Sequence, residues 1–529
     1  MPIDCISFQE SGYFTPLIND YLDRKPHLEP LYNRFPILEN FEPQLLEKQQ
    51  NFDDSTRQIL VEVLQRQYVG IEMSALTRQN ISALAKPNSF TVTTGHQLNL
   101  FTGPLYFLYK IISTINLTTE LKTKYPNYNF IPVYWMATED HDFEEINFFN
   151  FKGKKFRWNR KSSGPVGRLS TEGLEEVFDI FALELGSSHN AEAIKKLFKS
   201  AYLEHDNLTA ATRFLANVLF ESHGLVILDA DDRSLKKLFI PYIKEELLQQ
   251  TSHKSVLETI PKLKDYGVQV NPREINLFYI EDNLRERIIN VDDIYCVNNT
   301  DIKFTAHEML SLLENEPEKF SPNAILRPLY QEVILPNLCY IGGGGELAYW
   351  FELKSLFESA SVTFPILLLR NSVLIATPKQ ALKADKLGLN WKELFLKQQD
   401  LLNVKVGQLS EFPIELSIQK DHLKSQFHFL HLIAEQTDKS FASAVKAQEA
   451  KQINGLENLE KRLLKAQKRK HNEILERVTE LQNQLFPHQA LQERQINFSE
   501  LYVENGTDLI EKLFSTLKPF GENFDVVIL

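Results

Sequence analysis

A strand, a helix and a second strand follow one another near the start of the chain, and this succession constrains the fold more than any other feature. The run Phe90–Thr94 is rich in β-branched residues and ends at Gly95, which is typical of a buried strand that enters a loop. Residues Leu105–Leu121 have the apolar spacing of a helix, with Pro104 placed for its first turn. The apolar run Phe130–Ala137 predicts the next strand. Elements at this spacing form a βαβ unit, which requires a parallel sheet.

The same alternation of apolar runs and helices returns later in the chain. Leu225–Leu228 is a further candidate for a buried strand, closed by the acidic stretch Asp229–Asp232, and Phe364–Leu369 is another. A chain of 529 residues is too long for one hydrophobic core, because single cores stop growing near ~250–300 residues. We therefore expect an α/β fold whose parallel sheet is assembled from separated segments, with other segments inserted between them.

Two heptad seams predict a helical hairpin in the last third of the chain. The turn of this hairpin is predicted at Asn454-Gly455, between the two seams. The hairpin itself is predicted to be about 45 Å long. The basic stretch Lys461–His471 is either a solvated helix face or an arm that dimerises or carries positive charge toward a phosphate site. The first seam consists of Leu423, Phe427, Leu430, Ala434, Thr437, Phe441 and Ala444, and the second of Leu456, Leu459, Leu463, Ala466, Ile474, Val478, Leu481 and Leu485.

Charge and cysteine content argue against several classes of function, although the net charge leaves room for a local basic groove. The formal net charge of −12 disfavours a general nucleic-acid binder, since such a protein needs a basic surface. Cys5, Cys296 and Cys339 form no CxxC pair, so neither a disulfide framework nor a thiolate zinc site is indicated. We also expect no signal peptide and no membrane span, because no basic segment with an apolar stretch opens the chain and no apolar run of about 18 residues occurs. These features indicate a cytoplasmic protein.

The first candidate site lies where the strand Phe90–Thr94 gives way to the following helix. Hydroxyls, an imidazole and an amide cluster there, and backbone amides at a helix start can hold a phosphate. The alternative is a strand-to-helix turn that only requires glycine. The candidate binding residues are Thr93, Thr94, Gly95, Gln97, Thr102, Gly103, Tyr106 and Lys110, and His96 is a candidate catalytic residue.

The second candidate site is an acidic cluster directly after the strand Phe130–Ala137. Ligands bind at the carboxyl ends of strands in open parallel sheets, and dense negative charge there needs Mg²⁺, a substrate ammonium or a nearby Arg or Lys. A carboxylate at this position could also deprotonate an attacking amine, whereas the alternative is an acidic helix start stabilised by the helix dipole. No zinc site is predicted, since no cysteine or second histidine lies nearby. The candidate catalytic residues are Asp140, His141 and Asp142, and the candidate binding residues are Glu139 and Glu145.

Two further motifs are expected at the same edge of the sheet. Four consecutive glycines predict a loop that lets backbone approach a ligand, with a flexible hinge as the alternative. Arg370 follows the strand Phe364–Leu369, where it could bind a carboxylate or phosphate or form a salt bridge to the acidic cluster. The candidate binding residues of these motifs are Arg327, Gly342, Gly343, Gly344, Gly345, Glu346, Tyr349, Arg370 and Asn371.

Several stretches of the sequence together resemble one known family. They read TGHQ and FTGPLY, PVYWMATEDHDFEEIN, LRPLYQEVILPNLCYIGGGGELAYW, LLRNS, and RQINFSELY with DLIEKL. In this order they closely resemble the motifs of the BshC family, the cysteine-adding enzymes of bacillithiol synthesis. The chain departs from the usual family pattern at His96, where Gln is common, and in its unbroken glycine run, which often contains a proline.

The resemblance implies a Rossmann-like core with inserted connecting segments, an antiparallel α-helical coiled-coil hairpin and a homodimer formed through the coiled coil. Combined with the changes in strand and helix patterning along the sequence, it divides the chain into core segments at 1–160 and 321–380 and inserted subdomains at 161–320. A coiled-coil arm follows at 381–490, and a C-terminal segment at 491–529 returns to the core.

The reaction that the resemblance implies is an ATP-dependent ligation of L-cysteine to glucosaminyl-malate. Because a carboxylate is a poor acyl donor, we expect ATP as the cofactor, with ADP as one candidate product and Mg²⁺ as a further candidate. The loop Thr93–Gln97 with Gly103 would hold phosphates, aided by Lys110 or Arg370, and the glycine run would cover the sugar conjugate. Two alternatives remain: a nucleotidyl or sugar-phosphate transferase, and a non-catalytic scaffold whose coiled coil is the active part.

Overall fold

The computed structural model describes residues 4–529, and a five-stranded parallel sheet forms its centre. We label its strands β1 (Ser89–His96), β2 (Asn129–Met136), β3 (Val226–Asp229), β4 (Asn337–Gly342) and β5 (Ile366–Leu369). They lie in the order β3-β2-β1-β4-β5, and every neighbouring pair is parallel. The order therefore reverses between β1 and β4, as in Rossmann-type sheets, and the predicted Rossmann-like core is confirmed.

The central strands are buried on both faces, which explains their nearly continuous apolar and β-branched sequences. β1 and β4 are buried along their whole length. The helix Tyr106–Lys124 connects β1 to β2 and packs against the sheet through Leu117 and Leu121, which share a core cluster with Phe90 and Ile341. The four predicted strands and the connecting helix lie within three residues of their predicted bounds.

Two insertions interrupt the central sheet. The first lies between β2 and β3 and contains, besides the short helix Phe143–Ile146, a hairpin and three longer helices: Phe148–Phe151, Lys154–Arg157, Leu174–Leu185, His189–Tyr202 and Leu208–Phe220. The second lies between β3 and β4 and contains an antiparallel sheet whose strands are, in spatial order, Lys303–Thr305, Ile294–Val297, Leu284–Val291, Leu277–Glu281 and Phe320–Pro322. Residues of this second sheet face the carboxyl ends of the parallel strands.

A small third sheet brings the two ends of the described chain together. Its central strand, Asn523–Ile528, pairs antiparallel with Asp4–Ser7 and parallel with Val373–Ala376. Residues of the C-terminal segment, including Phe498 and Leu513, are buried in the main core. The end of the chain is thereby fixed beside β5.

The helical hairpin exists, but its turn is not at Asn454-Gly455, and that prediction is wrong. The helices are Ser417–Ala434 and Lys439–Lys470, and the second continues after His471 as Asn472–Leu485. Asp438 caps the second helix by accepting a hydrogen bond from the Phe441 amide at 2.8 Å. A glycine inside a helix costs only about 1 kcal/mol, so Gly455, whose Cβ position is free of neighbours, does not end the helix. The first predicted seam therefore crosses the turn.

The remaining α-helices pack around these sheets. They are Phe8–Ser11, Pro16–Leu22, Phe41–Asn51, Asp54–Gln67, Ala75–Ala83, Phe143–Ile146, Arg233–Gln249, Thr251–Thr259, Ala306–Asn315, Leu326–Ile334, Gly344–Phe351, Lys354–Ser359, Pro378–Lys386, Trp391–Leu394, Gln398–Leu409, Gln492–Gln495, Phe498–Asn505 and Asp508–Thr516. Within residues 4–529, none of the helices has the combination of length and apolar character that crossing a membrane requires.

Candidate active site

A cleft of about 1090 Å³ opens at the carboxyl ends of β1, β2, β4 and β5, where the strand order reverses. Open α/β sheets bind ligands at this point. The inserted antiparallel sheet and the C-terminal segment complete its walls. Seven cationic side chains and five carboxylates line it: Lys110, Arg273, Arg285, Arg287, Arg327, Arg370 and Arg494, with Glu139, Asp140, Asp142, Glu145 and Glu346. The excess of cations favours anionic ligands.

A partly buried ion pair joins the first candidate site to the glycine-run motif. The Lys110 ammonium lies 2.6 Å from Glu346 Oε2 and donates to the Gly95 carbonyl at 2.7 Å. The Glu346 carboxylate also accepts from the Gly343 amide at 2.9 Å and from the Tyr340 hydroxyl at 2.8 Å. Burial favours the neutral acid, but Lys110 and these donors outweigh it and lower the pKa of Glu346. The pair fixes the ends of β1 and β4 relative to each other.

Arg370 lies at the end of β5 and reaches the C-terminal segment instead of the acidic cluster. One guanidinium nitrogen donates to Glu493 Oε1 at 2.6 Å, so the alternative salt bridge to the acidic cluster is wrong. The Nε atom of Arg370 is buried and has no hydrogen-bond partner among residues 4–529. It lies 3.7 Å from the position that a Cβ on Gly343 would occupy. The guanidinium also stacks on the Tyr106 ring at 4.9 Å.

His96 ends β1 and is almost wholly buried at the cleft wall, beside the rings of Tyr106 and Phe107. Its Nε2 lies 3.4 Å from the Thr102 carbonyl. Burial, aided by the nearby Lys110 charge, lowers the pKa of His96 to about 3. The imidazole is therefore neutral at physiological pH and contributes no positive charge to the cleft.

The acidic cluster after β2 is organised by hydrogen bonds to neutral groups. The Gln97 amide donates to Asp140 at 2.9 Å and to Glu145 at 3.0 Å. Asp140 also accepts from the His141 amide at 2.7 Å. Burial and the neighbouring Asp140 charge raise the pKa of Asp142. Asp142 is thus better suited than an ordinary aspartate to accept a proton from a reactant.

Glu139 is the member of the acidic cluster that a cation compensates directly. The buried ammonium of Lys236 lies 2.7 Å from Glu139 and 2.9 Å from Asp231. Asp231 is also held by Arg168 at 2.8 Å. Burial and the Asp231 charge nevertheless raise the pKa of Glu139, because one lysine is shared by two carboxylates. The expected compensating cation is therefore present as a lysine from the helix after β3.

Two arginines close the cleft from its other walls. Arg285, on the inserted sheet, donates to His141 Nδ1 at 2.7 Å and stacks on Phe278 at 4.0 Å. Arg327, on the helix before β4, donates to the Tyr349 hydroxyl at 3.2 Å and lies over the rings of Trp135 and Tyr340. Stacking holds each guanidinium in a fixed plane, which suits two-point recognition of a carboxylate or phosphate.

Most of the predicted site residues converge on this cleft. Its lining includes Gly95, His96, Gln97, Tyr106, Lys110, Glu139, Asp140, His141, Asp142, Glu145, Arg327, Gly343, Gly345, Glu346, Tyr349 and Arg370.

The other predicted site residues do not line the cleft. Thr93 and Thr94 direct their hydroxyls into the sheet, to Asn337 at 2.9 Å and to the Ile341 carbonyl at 2.7 Å. The Asn371 amide donates to the Lys518 carbonyl at 2.8 Å. The remaining four, which are Thr102, Gly103, Gly342 and Gly344, are also absent from the lining.

The glycine run is not a loop, and that prediction is wrong. Gly342 ends β4, and Gly344 and Gly345 begin the helix Gly344–Phe351. Glu346 caps the start of this helix by accepting from the Gly343 amide, which favours a helix despite the low helix propensity of glycine. Gly344 packs closely against Ile18, which favours a residue without a side chain at this position. A Cβ on Gly103, by contrast, would lie 2.5 Å from Asn99 Cβ, and Gly103 has a φ of 62°, so glycine is required there.

Sequence reasoning missed the residues that distant segments bring to the cleft. Arg285 and Arg494 line the cleft. Lys236, held by Asp231, pairs with Glu139 of the cleft, and Glu493 pairs with Arg370. Two signals were present in the sequence. Asp231 follows a predicted strand, as the acidic cluster does, and Arg494 begins the motif RQINFSELY. Arg285 had no local signal, because it lies in the half-buried strand Leu284–Val291, which matches none of the predicted motifs.

The described part of the chain offers no preformed metal cage. Among residues 4–529, no three His, Cys, Asp or Glu side chains are placed to hold a metal ion together. Mg²⁺ usually binds through one or two carboxylates plus substrate phosphates, and the carboxylates that line the cleft fit this mode of binding.

Comparisons with known proteins place the whole chain in one family. Residues 1–371 match the domain described as "Bacillithiol biosynthesis BshC, N-terminal Rossmann-like domain", and residues 373–529 match "Bacillithiol biosynthesis BshC, C-terminal coiled-coil domain". Three relatives bear the name "Putative cysteine ligase BshC". The protein from Flavobacterium johnsoniae is 67% identical over 100% of both chains. That from Flavobacterium psychrophilum is 62% identical over 100% of this chain and 99% of the relative. That from Cytophaga hutchinsonii is 38% identical over 99% and 98%. This chain therefore belongs to the BshC family.

Proposed function

We propose that this protein is an ATP-dependent ligase that joins the carboxylate of L-cysteine to the amine of glucosaminyl-malate, the last step of bacillithiol synthesis. The name carried by relatives that match over the full length supports the ligase assignment. The observation that carries the proposal is the cleft, where arginines stand opposite carboxylates of raised pKa. Such a site can bind anionic reactants and also accept a proton.

The anionic groups of the reactants are assigned to the arginines of the cleft. The buried Nε of Arg370 has no partner among the described residues, and the helix that begins at Gly344 presents its amides beside it. These groups fit a phosphate of ATP or a carboxylate of malate equally well. Arg273 and Arg287 add exposed positive charge on the opposite wall. When bound, ATP supplies the activation that turns the cysteine carboxylate into an acyl donor.

Asp142 is the proposed proton acceptor for the attacking amine. Its carboxylate lines the cleft, and its raised pKa brings it closer to the working range of a general base. As the new C–N bond forms, the bond between the activated acyl carbon and the oxygen of its phosphate or AMP leaving group breaks, and the amine loses one proton, which Asp142 takes up. Substituting Asp142→Asn should lower kcat by about 10²-fold or more, the usual contribution of general base catalysis. The matched control is Glu144→Gln on the short helix that follows Asp142, because Glu144 pairs with Arg157 and does not line the cleft. Equal rates for both variants would refute the role of Asp142.

We propose that the protein is a homodimer formed through the coiled coil. Between Ser417 and Lys470 the buried cluster of the hairpin consists of Phe427, Ala434 and Val445, whereas Phe429, Ile433, Phe441 and Leu459 are exposed. A two-helix hairpin with so small a core needs a further apolar surface against it, and a second copy supplies one. Light scattering should give twice the chain mass, and Phe429→Glu with Ile433→Glu should give the monomer mass. A wild-type monomer would refute the dimer.

The direct test mixes purified protein with ATP, Mg²⁺, L-cysteine and glucosaminyl-malate and detects the thiol product by mass spectrometry. Product that requires all four components supports the proposal, and the nucleotide released identifies the activation chemistry. We place this reaction in the cytoplasm, where thiols stay reduced. Nucleotide turnover that needs no cysteine would instead favour a nucleotidyl or sugar-phosphate transferase. Absence of nucleotide binding by the folded protein would favour a scaffold.

A further inference from the structure

Arg285 is held in the cleft by contacts on every side of its guanidinium. Its Nε donates to the Ser321 hydroxyl at 3.2 Å, and one terminal nitrogen donates to the Pro322 carbonyl at 3.3 Å. Its plane lies over the Phe278 ring at 4.0 Å. The other terminal nitrogen lies 2.7 Å from His141 Nδ1. The guanidinium therefore approaches His141 in a direction fixed by the inserted sheet.

This contact determines which nitrogen of His141 carries the proton. Arginine can only donate hydrogen bonds, so His141 Nδ1 must accept. A proton on Nδ1 would bring two donors together at 2.7 Å, and a doubly protonated ring would add repulsion between like charges. The Asp140 carboxylate, 3.8 Å from the same nitrogen, is too far away to form a hydrogen bond. With Arg285 in place, the imidazole is thus neutral, and its proton is on Nε2.

We infer that Arg285 is a positioning residue that fixes His141 as a hydrogen-bond donor through Nε2, so that His141 stabilises an oxygen of the reacting group and does not accept the proton of the amine. This inference rests on the proposed ligase function. A neutral imidazole whose Nδ1 is occupied has only an N–H to offer the cleft, which suits an oxygen on which negative charge develops. The inference also assigns two roles that the sequence leaves open. His141 donates a hydrogen bond to the reacting oxygen, and the neighbouring carboxylates accept the proton of the amine.

The inference gives the inserted antiparallel sheet a part in the site. His141 follows β2, whereas Arg285 lies 144 residues later, on the strand Leu284–Val291. Without the inserted sheet, Asp140 would be the remaining charged neighbour of Nδ1, and a carboxylate selects the opposite tautomer, with the proton on Nδ1. The sheet therefore sets the chemistry of a residue on the central fold.

The first test reads the tautomer directly, by ¹⁵N NMR of protein labelled at histidine, with signals assigned through His141→Gln and His205→Gln. We expect the Nε2–H form for His141. His205 is the internal control, because its Nδ1 lies 2.9 Å from the Ser200 carbonyl, which requires the proton on Nδ1. In Arg285→Met, the His141 signal should move toward the Nδ1–H form, while that of His205 should not change. An Nδ1–H or doubly protonated His141 in the wild type would overturn the inference, whether or not the protein ligates cysteine.

The second test uses amide side chains that imitate one ring nitrogen each. Glutamine places its NH₂ group near the position of Nε2, whereas asparagine places it near Nδ1. We expect His141→Gln to retain kcat within about tenfold and His141→Asn to lose about 10²-fold or more, the effect of removing one donor to a developing oxyanion. Arg285→Met should lower kcat more than KM rises, and its thermal stability should stay near that of the wild type. Equal activity of the Gln and Asn variants would overturn the donor role even if the tautomer were as inferred.

Discussion

The guanidinium of Arg370 and the carboxylate of Glu493 lie 2.6 Å apart, with their side chains only 4% and 1% exposed, although 123 residues separate them in the sequence. Arg370 follows β5 of the Rossmann-like core, and Glu493 belongs to the short helix Gln492–Gln495 of the C-terminal segment. Their pairing ties that segment to the wall of the cleft. It also sets the orientation of the Arg370 Nε that faces Gly343.

Substituting Glu493→Gln should destabilise the protein by about 3 kcal/mol, because it leaves the buried Arg370 without a counter-charge. Chemical denaturation measures this loss. The control is Glu184→Gln, which breaks an exposed pair with Lys154 of the same 2.6 Å length and should change stability by less than about 1 kcal/mol. The double substitution Arg370→Met with Glu493→Leu should lower the free energy of unfolding less than Glu493→Gln alone, because it leaves no unpaired buried charge. Equal losses for the buried and the exposed pair would contradict the expectation.

His96 should make stability fall in acid. Its folded pKa of about 3 lies below its ordinary value of 6.5, so the unfolded chain binds the proton first as pH falls. The neutral, buried ring therefore contributes its full stability above pH 6.5, and this contribution is lost progressively as pH falls toward about 3. At about pH 5 the loss is on the order of 2 kcal/mol. His96→Gln should flatten this part of the curve of unfolding free energy against pH; an unchanged slope would show that another group titrates there.

Asp525 should act in the opposite direction. Burial in the strand Asn523–Ile528 raises its pKa to about 6, from 3.8, so the folded protein holds the proton more tightly than the unfolded chain. The associated stability is present below pH 3.8 and is lost as pH rises through about 6. Asp525→Asn should therefore stabilise the protein at neutral pH by about 1–2 kcal/mol, after allowance for partial exposure, and should have little effect at about pH 4. Melting curves at both pH values test this, and a larger gain at the lower pH would refute it.

The parts of the fold that local sequence determines were predicted well. β1, β2 and β5 are short apolar runs ended by Gly, Thr or Arg, and period and length suffice to identify them. The rule that ligands bind at the carboxyl ends of parallel strands predicts that His96, Asp140 and Arg370 share one cleft, and all three line it.

What the sequence could not reveal depends on contacts between distant segments. Nothing near Arg285 distinguishes it from a solvated arginine, and only the packing of the inserted sheet brings it to His141. Likewise Thr93 and Thr94 look like phosphate ligands beside Gly95, but their hydroxyls donate hydrogen bonds within the sheet, to the Asn337 side chain and the Ile341 carbonyl. Successive residues of a strand point to opposite faces of the sheet, so the direction of a polar side chain at a strand end follows from its register and not from its residue type.

The hairpin turn was misplaced for an energetic reason that can itself be tested. Asn-Gly is a strong turn sequence, but about 1 kcal/mol of helix propensity is small against the packing of a long helix. Gly455 lies inside the helix Lys439–Lys470, with no neighbour near its Cβ position. Gly455→Ala should therefore stabilise the protein or its coiled coil by about 0.5–1 kcal/mol, whereas alanine at a left-handed turn residue would destabilise it. Gly103→Ala supplies that contrast, because Gly103 has a positive φ and a Cβ there would meet Asn99. Thermal unfolding of both variants tests this position. A loss of stability in Gly455→Ala would indicate that the turn lies at Asn454-Gly455 after all.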